Sequence, residues 1–248
     1  SVVSLYEAFR QLSNKEQPYN LIFLASAEEE ISGKNGLESV LPILPAIDFA
    51  VVGEPTGMQP AIAEKGLMVI DCTAHGKTGH AARNEGVNAI TEAINDIRWF
   101  NNFHFPKESD LLGAVKMSVT MIQAGTQHNV IPDQCKFTVD IRTNECYSNE
   151  EVFHVIQNNV NAEIVARGFR LNSSHTPLDH PFLSRANLLE LKPFGSPTLS
   201  DQALMSFPSV KIGPGDSSRS HTADEYILLS EIREAIELYV RLLDGLQF

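Results

Sequence analysis

Residues 115–142 read VKMSVTMIQAGTQHNVIPDQCKFTVDIR and contain two segments in which apolar and polar residues alternate. A period of two residues is typical of β-strands that pack one face against a core and turn the other to solvent. We therefore predict two half-buried strands in this stretch. The apolar positions that carry the pattern are Val115, Met117, Val119 and Met121, then Cys135, Phe137, Val139 and Ile141.

The sequence on both sides of this stretch predicts a complete α/β unit. Residues 64–74 are expected to form a strand, and residues 88–103 a helix with its apolar side chains on one face. A second helix over residues 149–160 and a strand over residues 164–169 come after it. The resulting order, β-α-β-β-α-β, is that of a ferredoxin-like unit. We place this unit at residues 63–172, as a domain inserted into another one.

The remaining residues, 1–62 and 173–248, predict a second α/β domain that the insertion divides. Short, continuously apolar runs are typical of strands buried on both faces of a parallel sheet. In such sheets, ligands bind at the carboxyl ends of the strands. The expected elements are an opening helix with Leu5, Phe9 and Leu12 on one face, strands at 20–25, 49–52 and 210–212, a helix at 36–44, and a closing helix with its N-cap at Ser230.

The composition excludes several classes of function. Thirty-one acidic against 19 basic residues give a formal charge of −12, and nucleic-acid binding needs a basic surface instead. No apolar run approaches the roughly 20 residues of a membrane span, so we expect no membrane association. Three cysteines without a CxxC pair argue against a disulfide framework and favour the reducing cytoplasm.

Residues suited to metal chemistry follow the predicted strands. Three adjacent glutamates, residues 28–30, come after the first apolar run, Glu54 comes after the second, and His221 lies beyond the third. Each has a simpler interpretation, namely a solvated acidic loop, a Gly–Pro turn and a surface histidine. Their position at one edge of one sheet, however, brings together the carboxylate and imidazole groups that bind zinc.

Five segments in the same order resemble motifs of one known family. That family comprises the acetylornithine deacetylases, succinyl-diaminopimelate desuccinylases and aminoacylases, which are zinc amidohydrolases, and the likeness is greatest to the bacterial acetylornithine deacetylases. It implies a zinc-peptidase-like catalytic α/β domain, with its N-terminal part missing here, and an inserted ferredoxin-like βαββαβ dimerisation domain. The segments are SAEEEISGKNG (26–36), VVGEPT (51–56), GKTGHAA (76–82), GTQHNVIP (125–132) with DIR (140–142), and SHTADE (220–225).

The resemblance implies a role for each matching residue at the reaction centre. Glu29 would be the general base that takes a proton from water. Glu30 and His221 would bind one zinc ion and Glu54 a second, with cobalt as a possible substitute. His80, in the inserted domain, would polarise the carbonyl group of the substrate.

The same resemblance implies a binding site for the amino acid substrate. Asn129 and Arg142 would hold its carboxylate, the arginine by paired hydrogen bonds. Ser200 and Asp201 resemble a substrate-binding turn, although an N-cap for the following turn is the alternative for this pair. The inserted domain would join two chains into a homodimer.

The sequence departs from the family pattern at its beginning. The family takes a zinc-binding histidine and a bridging aspartate from an earlier His-x-Asp motif and a later turn, and no His-x-Asp occurs in these 248 residues. The expectation is that the chain starts just beyond the bridging aspartate, without the first strands of the catalytic sheet. Catalytic zinc usually has three protein ligands, so we expect this chain alone to bind metal weakly and to be nearly inactive.

The predicted function is zinc-dependent hydrolysis of the amide bond of an N-acyl amino acid. N-acetylornithine or N-succinylornithine, in arginine biosynthesis, is the expected substrate. Succinyl-diaminopimelate desuccinylase and dipeptidase activity are alternatives within the family, because pocket shape decides the acyl group and side chain. A second alternative is an inactive chain that serves only as a dimerisation or interaction module.

Overall fold

The computed structural model describes residues 1–31 and 33–248. The helices are α1 Val2–Leu12, α2 Leu37–Val40, α3 Ala89–Asn102, α4 Asn149–Gln157, α5 Pro181–Leu188 and α6 Leu229–Leu243. The strands are β1 Ala50–Val52, β2 Ala61–Glu64, β3 Met68–His75, β4 Gly79–His80, β5 Lys116–Ala124, β6 Val130–Ile131, β7 Gln134–Arg142, β8 Glu163–Ala166, β9 Ser174–His175, β10 Phe194–Ser196 and β11 Ser209–Lys211. Single 3₁₀ turns span Glu29–Ile31, Leu41–Ile43, Asp201–Leu204 and Ser217–Arg219.

The chain divides into two compact units. The first unit combines Ser1–Glu64 with Ser174–Phe248, and the second is Lys65–Ser173. The predicted strand over residues 64–74 is thus divided, because β2 belongs to the first unit and β3 to the second. None of the helices within the described ranges has the length and apolar composition required to cross a lipid bilayer.

The second unit confirms the predicted ferredoxin-like order. Its four-stranded sheet has the order β5-β7-β3-β8, and every neighbouring pair in it is antiparallel. Alternate side chains of β3 and β7 are buried, as the period of two predicts, and they pack with one face of α3 and α4 into a single core. The main members of this core are Met68, Ile70, Cys72, Ala89, Ala93, Phe100, Cys135, Phe137, Val139, Ile141, Val152 and Ile156.

One position of the quoted stretch lies on the opposite face from the predicted one. Val119 pairs with the buried Val139, but the register shifts at the next residue and Met121 pairs with Thr138. A β-bulge inserts one residue and so reverses the alternation beyond it. Met121 is consequently 64% exposed, and it does not join Val119 in the core.

The first unit contains a mixed five-stranded sheet with the order β1-β11-β2-β10, and β9 also pairs with β2. β1 and β11 run parallel, as do β2 and β10. The closing helix α6 packs against α1 and buries Ala235, Tyr239 and Leu242. The Tyr239 hydroxyl donates a hydrogen bond to the carbonyl of Ile212 at 2.6 Å, which fixes α6 to the end of β11.

Two local predictions in this unit are wrong. Residues 20–25 do not form a strand; Ile22 and Leu24 are exposed, and Phe23 packs on Tyr6 of α1. An apolar run becomes a buried strand only when other strands pair with it, and within the described residues no strand does so. 

The closing helix also begins one residue before Ser230, with Leu228 at its N-cap. The side chain of Glu231 accepts a hydrogen bond from the Leu228 backbone N–H at 2.8 Å, which replaces the predicted serine cap.

Candidate functional site

The carboxyl ends of β1 and β11 bring two loops to one edge of the first unit's sheet. The strands are parallel neighbours, with Val52 opposite Lys211. Glu54 lies just after β1, and the loop that leads to His221 follows β11. Backbone hydrogen bonds join the loops, for example from Gly57 N–H to the carbonyl of Gly215 at 2.8 Å. Glu54 and the start of the loop that leads to His221 therefore lie at the same edge of this sheet.

The glutamate triplet forms a short turn in which the three carboxylates have different surroundings. The Glu28 carboxylate accepts hydrogen bonds from the backbone N–H and the side-chain amide of Asn35, both at 3.1 Å. Glu29 and Glu30 begin the 3₁₀ turn Glu29–Ile31; the first is half-buried and the second exposed. Glu28 thus holds the loop closed, which leaves the other two carboxylates available.

His221 lies beside Glu30, although the two are far apart in the sequence. Nε2 of His221 is 3.8 Å from a carboxylate oxygen of Glu30, and both side chains are 77% exposed. This distance is too long for a hydrogen bond but suits two ligands of one cation. His221 and Glu28 also have left-handed backbones, with φ of 59° and 60°. Such a conformation costs about 1–2 kcal/mol outside glycine and tends to occur at functional sites.

The acidic side chains influence one another's protonation. Burial, followed by the charge of Asp201, raises the pKa of Glu29. Burial also raises the pKa of Glu54 to about 7, with a further contribution from the charge of Glu29 and a partial offset by Lys211. Neighbouring carboxyl groups with raised pKa values are candidates for proton transfer near neutral pH.

A buried ion pair beneath this cluster was missed by the sequence analysis. Glu64 ends β2 and Lys211 ends β11; their side chains are 0% and 4% exposed, and Nζ of the lysine lies 3.2 Å from the carboxylate. Burial raises the pKa of Glu64, while Lys211 and hydrogen bonds from Ser200 oppose the rise. A lysine inside the predicted buried strand at 210–212 was the available signal, because an unpaired lysine is almost never fully buried.

Ser200 and Asp201 are connected to this pair. Ser200 is 2% exposed, and its hydroxyl donates to the Glu64 carboxylate at 2.8 Å. The same oxygen accepts a hydrogen bond from Gln202 N–H at 3.3 Å, which is the N-cap arrangement considered as the alternative. Asp201 accepts a hydrogen bond from the Ser26 hydroxyl at 2.8 Å.

The other predicted site residues belong to the second unit. The two-stranded β4–β6 ribbon brings His80 and Asn129 together, since Ala81 N–H donates to the Asn129 carbonyl at 3.0 Å. His80 is exposed, and its Nδ1 accepts a hydrogen bond from Ala82 N–H at 3.1 Å. Arg142 ends β7 and donates two hydrogen bonds, at 2.8 and 3.0 Å, to Asp140 on the same face of the strand.

The donor set matches a metal site only in part. Within residues 1–31 and 33–248, no group of three or more His, Cys, Asp or Glu side chains is arranged to hold a metal ion. Glu30 and His221 form a pair of suitable donors, whereas catalytic zinc usually has three protein ligands. Among the described residues, this pair is thus one donor short of that number.

Comparison with known proteins identifies the inserted unit. Residues 62–167 match the family model of the peptidase dimerisation domain, M20_dimer. The acetylornithine deacetylase of Proteus mirabilis is 25% identical over 97% of this chain and 67% of its own length. The succinyl-diaminopimelate desuccinylase of Buchnera aphidicola subsp. Cinara cedri is 27% identical over 67% of this chain and 46% of its own length. The chain thus spans about half to two thirds of these curated relatives.

Solved structures share the fold. The aminopeptidase PepT of Bacillus cereus superimposes with a TM-score of 0.74 at 19% identity, over 97% of this chain and 68% of that one. The YXEP protein of Bacillus subtilis, described as a dinuclear metal-binding peptidase of the M20 family, gives a TM-score of 0.60 at 20% identity, over 88% of this chain and 62% of that one.

Proposed function

We propose that this chain, a relative of the M20 peptidases and amidohydrolases that carries their dimerisation domain, provides the catalytic base and part of the metal site of an amide hydrolase. The substrate class is an N-acyl amino acid, with N-acetylornithine as the preferred member. The observation that carries the proposal is the distance of 3.8 Å between His221 and Glu30, the residue directly after Glu29. The three unpaired cysteines agree with a reducing, cytoplasmic location.

Glu29 is the proposed general base. It is half-buried beside other carboxylates, and the resulting rise in its pKa brings the group closer to the neutral pH at which it must accept a proton. Glu29 takes this proton from the attacking water and later passes it to the departing amine. Its neighbours in the chain, Glu28 and Glu30, cannot replace it as the base, because Glu28 is hydrogen-bonded to Asn35 and Glu30 faces His221.

Zinc is the proposed metal, with cobalt as a substitute. Glu30 and His221 would hold one ion, and Glu54 would contribute to a second. When bound, zinc acts as a Lewis acid and makes a hydroxide nucleophile available near neutral pH. Because the described residues supply only a two-donor group, we also propose that this chain alone binds zinc weakly and hydrolyses amides slowly.

The second unit is proposed to recognise the substrate and to join two chains. His80 would polarise the scissile carbonyl, while Asn129 and Arg142 would hold the carboxylate. Ser200 and Asp201 remain proposed binding residues of the first unit. The printed names of the relatives include deacetylase, desuccinylase and peptidases, so a succinylated substrate or a short peptide is the competing assignment.

Edge strand β5 is the proposed dimer interface. It has nine residues and lies at the end of the four-stranded sheet, where Met121 and Ile122 are 64% and 57% exposed. An edge strand presents unpaired backbone groups that a second strand can complete. We therefore propose that two copies pair along β5, which would extend both sheets.

Metal binding by this chain provides the first test. Calorimetric titration with zinc is expected to show weak binding, which H221A and E30Q reduce at least about tenfold. The matched control is H75A, because His75 and Glu163 form a similar exposed pair at 3.1 Å in the second unit. Two tight zinc sites per chain, or equal losses in H221A and H75A, would contradict the assignment.

Activity of the full gene product provides the second test. Loaded with zinc or cobalt, it is expected to release ornithine from N-acetylornithine faster than it cleaves N-succinyl-diaminopimelate or a tripeptide. E29Q should lower kcat by about 10²–10⁴ with little change in KM, as loss of a general base predicts. A dimeric product without activity on any of the three would favour the interaction module instead.

A further inference from the structure

The buried pair of Glu64 and Lys211 forms hydrogen bonds with a loop at residues 198–200, which lies outside the strands. The Glu64 carboxylate accepts hydrogen bonds from the Ser200 backbone N–H at 3.1 Å and from its hydroxyl at 2.8 Å. The Lys211 ammonium donates to the carbonyl and the hydroxyl of Thr198, at 2.9 and 3.2 Å. Two charged side chains at the ends of neighbouring strands thus anchor residues 198–200.

The anchored loop is joined in turn to the turn that carries the proposed base. Asp201 begins the short turn Asp201–Leu204, directly after Ser200. Its carboxylate accepts the hydrogen bond from the Ser26 hydroxyl at 2.8 Å. Ser26 is separated from the acidic triplet only by Ala27 in the sequence. Hydrogen bonds from Ser200 to Glu64 and from Ser26 to Asp201, joined by the backbone between Ser200 and Asp201, therefore connect Glu64 to the segment that leads into Glu29.

A buried ion pair is a weak source of stability, because desolvation of two charges offsets most of their attraction. Apolar side chains of similar volume could fill the same space without that cost. A carboxylate, however, can accept hydrogen bonds from Ser200 and Lys211 at once, whereas an amide at this position presents donors to one of them. The arrangement is suited to fixing the position of the loop.

We propose that Glu64, held by Lys211, is a positioning residue that fixes the acidic turn at residues 28–31 through Ser200, Asp201 and Ser26. The proposal rests on the function proposed above in one respect, namely that Glu29 is the base. Glu64 itself does not touch the reacting atoms. Its effect is to keep the Glu29 carboxylate in one place, which proton transfer to and from a substrate requires.

The test measures mobility in the segment at residues 26–31 and at Ser200. NMR order parameters of the amides at 26–31 are expected to be near 0.8 in the unmodified chain and to fall below about 0.6 in E64Q, S200A and S26A. S26T keeps the hydroxyl and should restore the original values. Amide exchange at Ser200 should accelerate at least about tenfold in E64Q, since its buried acceptor is altered.

The matched control is D96N in the second unit. Asp96 is a buried carboxylate that accepts hydrogen bonds from the backbone N–H groups of Asn161 and Ala162, at 3.1 and 2.8 Å. D96N should leave the order parameters at 26–31 unchanged. The proposal is overturned if D96N lowers them as much as E64Q does, or if S26A and S26T behave alike.

The outcomes distinguish failure of the positioning role from misfolding of a variant and from failure of the proposed function. If E64Q does not fold, S200A still tests the link to Glu64, and S26A and S26T test the link from Asp201 to the turn, because Ser26 is exposed and its substitution leaves the ion pair intact. If the full gene product lacks hydrolase activity, the function is refuted, while the order parameters still show whether Glu64 positions the turn. Unchanged order parameters in an active hydrolase refute the positioning role alone.

Discussion

Asn149 is the first residue of α4, and we expect its substitution to lower the stability of the second unit more than that of any other polar residue. It is 0% exposed, and its side-chain amide donates to the carbonyls of Leu67, Phe169 and Leu171 at 3.3, 3.2 and 2.9 Å. Its side-chain oxygen accepts a hydrogen bond from the Thr143 hydroxyl at 2.9 Å. One side chain therefore holds the start of α4 to three other segments.

N149A removes all of these hydrogen bonds, and their loss sets the expected decrease in the free energy of unfolding. The two amide hydrogens and the oxygen account for about three net hydrogen bonds, each worth about 1 kcal/mol. Of the partner residues left behind, Thr143 is buried and the other three are partly buried. The higher helix propensity of alanine recovers about 0.5 kcal/mol. We expect the free energy of unfolding to fall by about 2.5 kcal/mol in total, and by more in N149D, which directs a carboxylate at carbonyl oxygens.

Urea denaturation followed by fluorescence of Trp99 is the appropriate assay, because this single tryptophan lies in α3 of the same unit. The control is N158A at the other end of α4, where the asparagine is exposed and the change should stay within about 0.5 kcal/mol. A loss below about 1 kcal/mol in N149A, or one equal to that of N158A, would refute this reasoning.

Three further outcomes are expected. Burial lowers the pKa of His180 below its usual 6.5. The neutral imidazole therefore contributes fully to stability above pH 6.5, and this contribution is lost as the pH falls through the pKa of the folded state. Urea midpoints measured from pH 8 to pH 5 should show the decline, and H180N should lack it. S148A removes the capping box of α4 and should lower the free energy of unfolding by about 1 kcal/mol, as measured by urea denaturation, whereas S148T should not. Lysine at both Met121 and Ile122 should convert a dimer into a monomer in light scattering, and an unchanged mass would exclude β5 as the interface.

The second unit could be predicted from sequence because its pattern is local. Phe137 and Val139 are buried as the period of two requires, and α3 and α4 form where the helical pattern predicts. The face of Met121 was predicted wrongly because a bulge depends on how β5 pairs with β7. The alternation of residues within one strand does not indicate how that strand pairs with its neighbour.

The first unit was less predictable, since its elements depend on distant segments. Residues 20–25 have the composition of a buried strand but lack a pairing partner among the described residues. The start of α6 also differed, because Glu231 both caps the helix and accepts hydrogen bonds from Arg219 at 3.0 and 2.9 Å. Composition alone does not reveal such a contact.

The sequence by itself determined the order of elements in the second unit and the edge at which Glu54 and His221 lie, because periodicity and strand ends are local properties. Only the tertiary structure decided that Glu64 and Lys211 pair beneath that edge, and that Ser26 bonds to Asp201. Those contacts join residues far apart in the chain. Burial of a charge depends on its partner, which only the folded arrangement supplies.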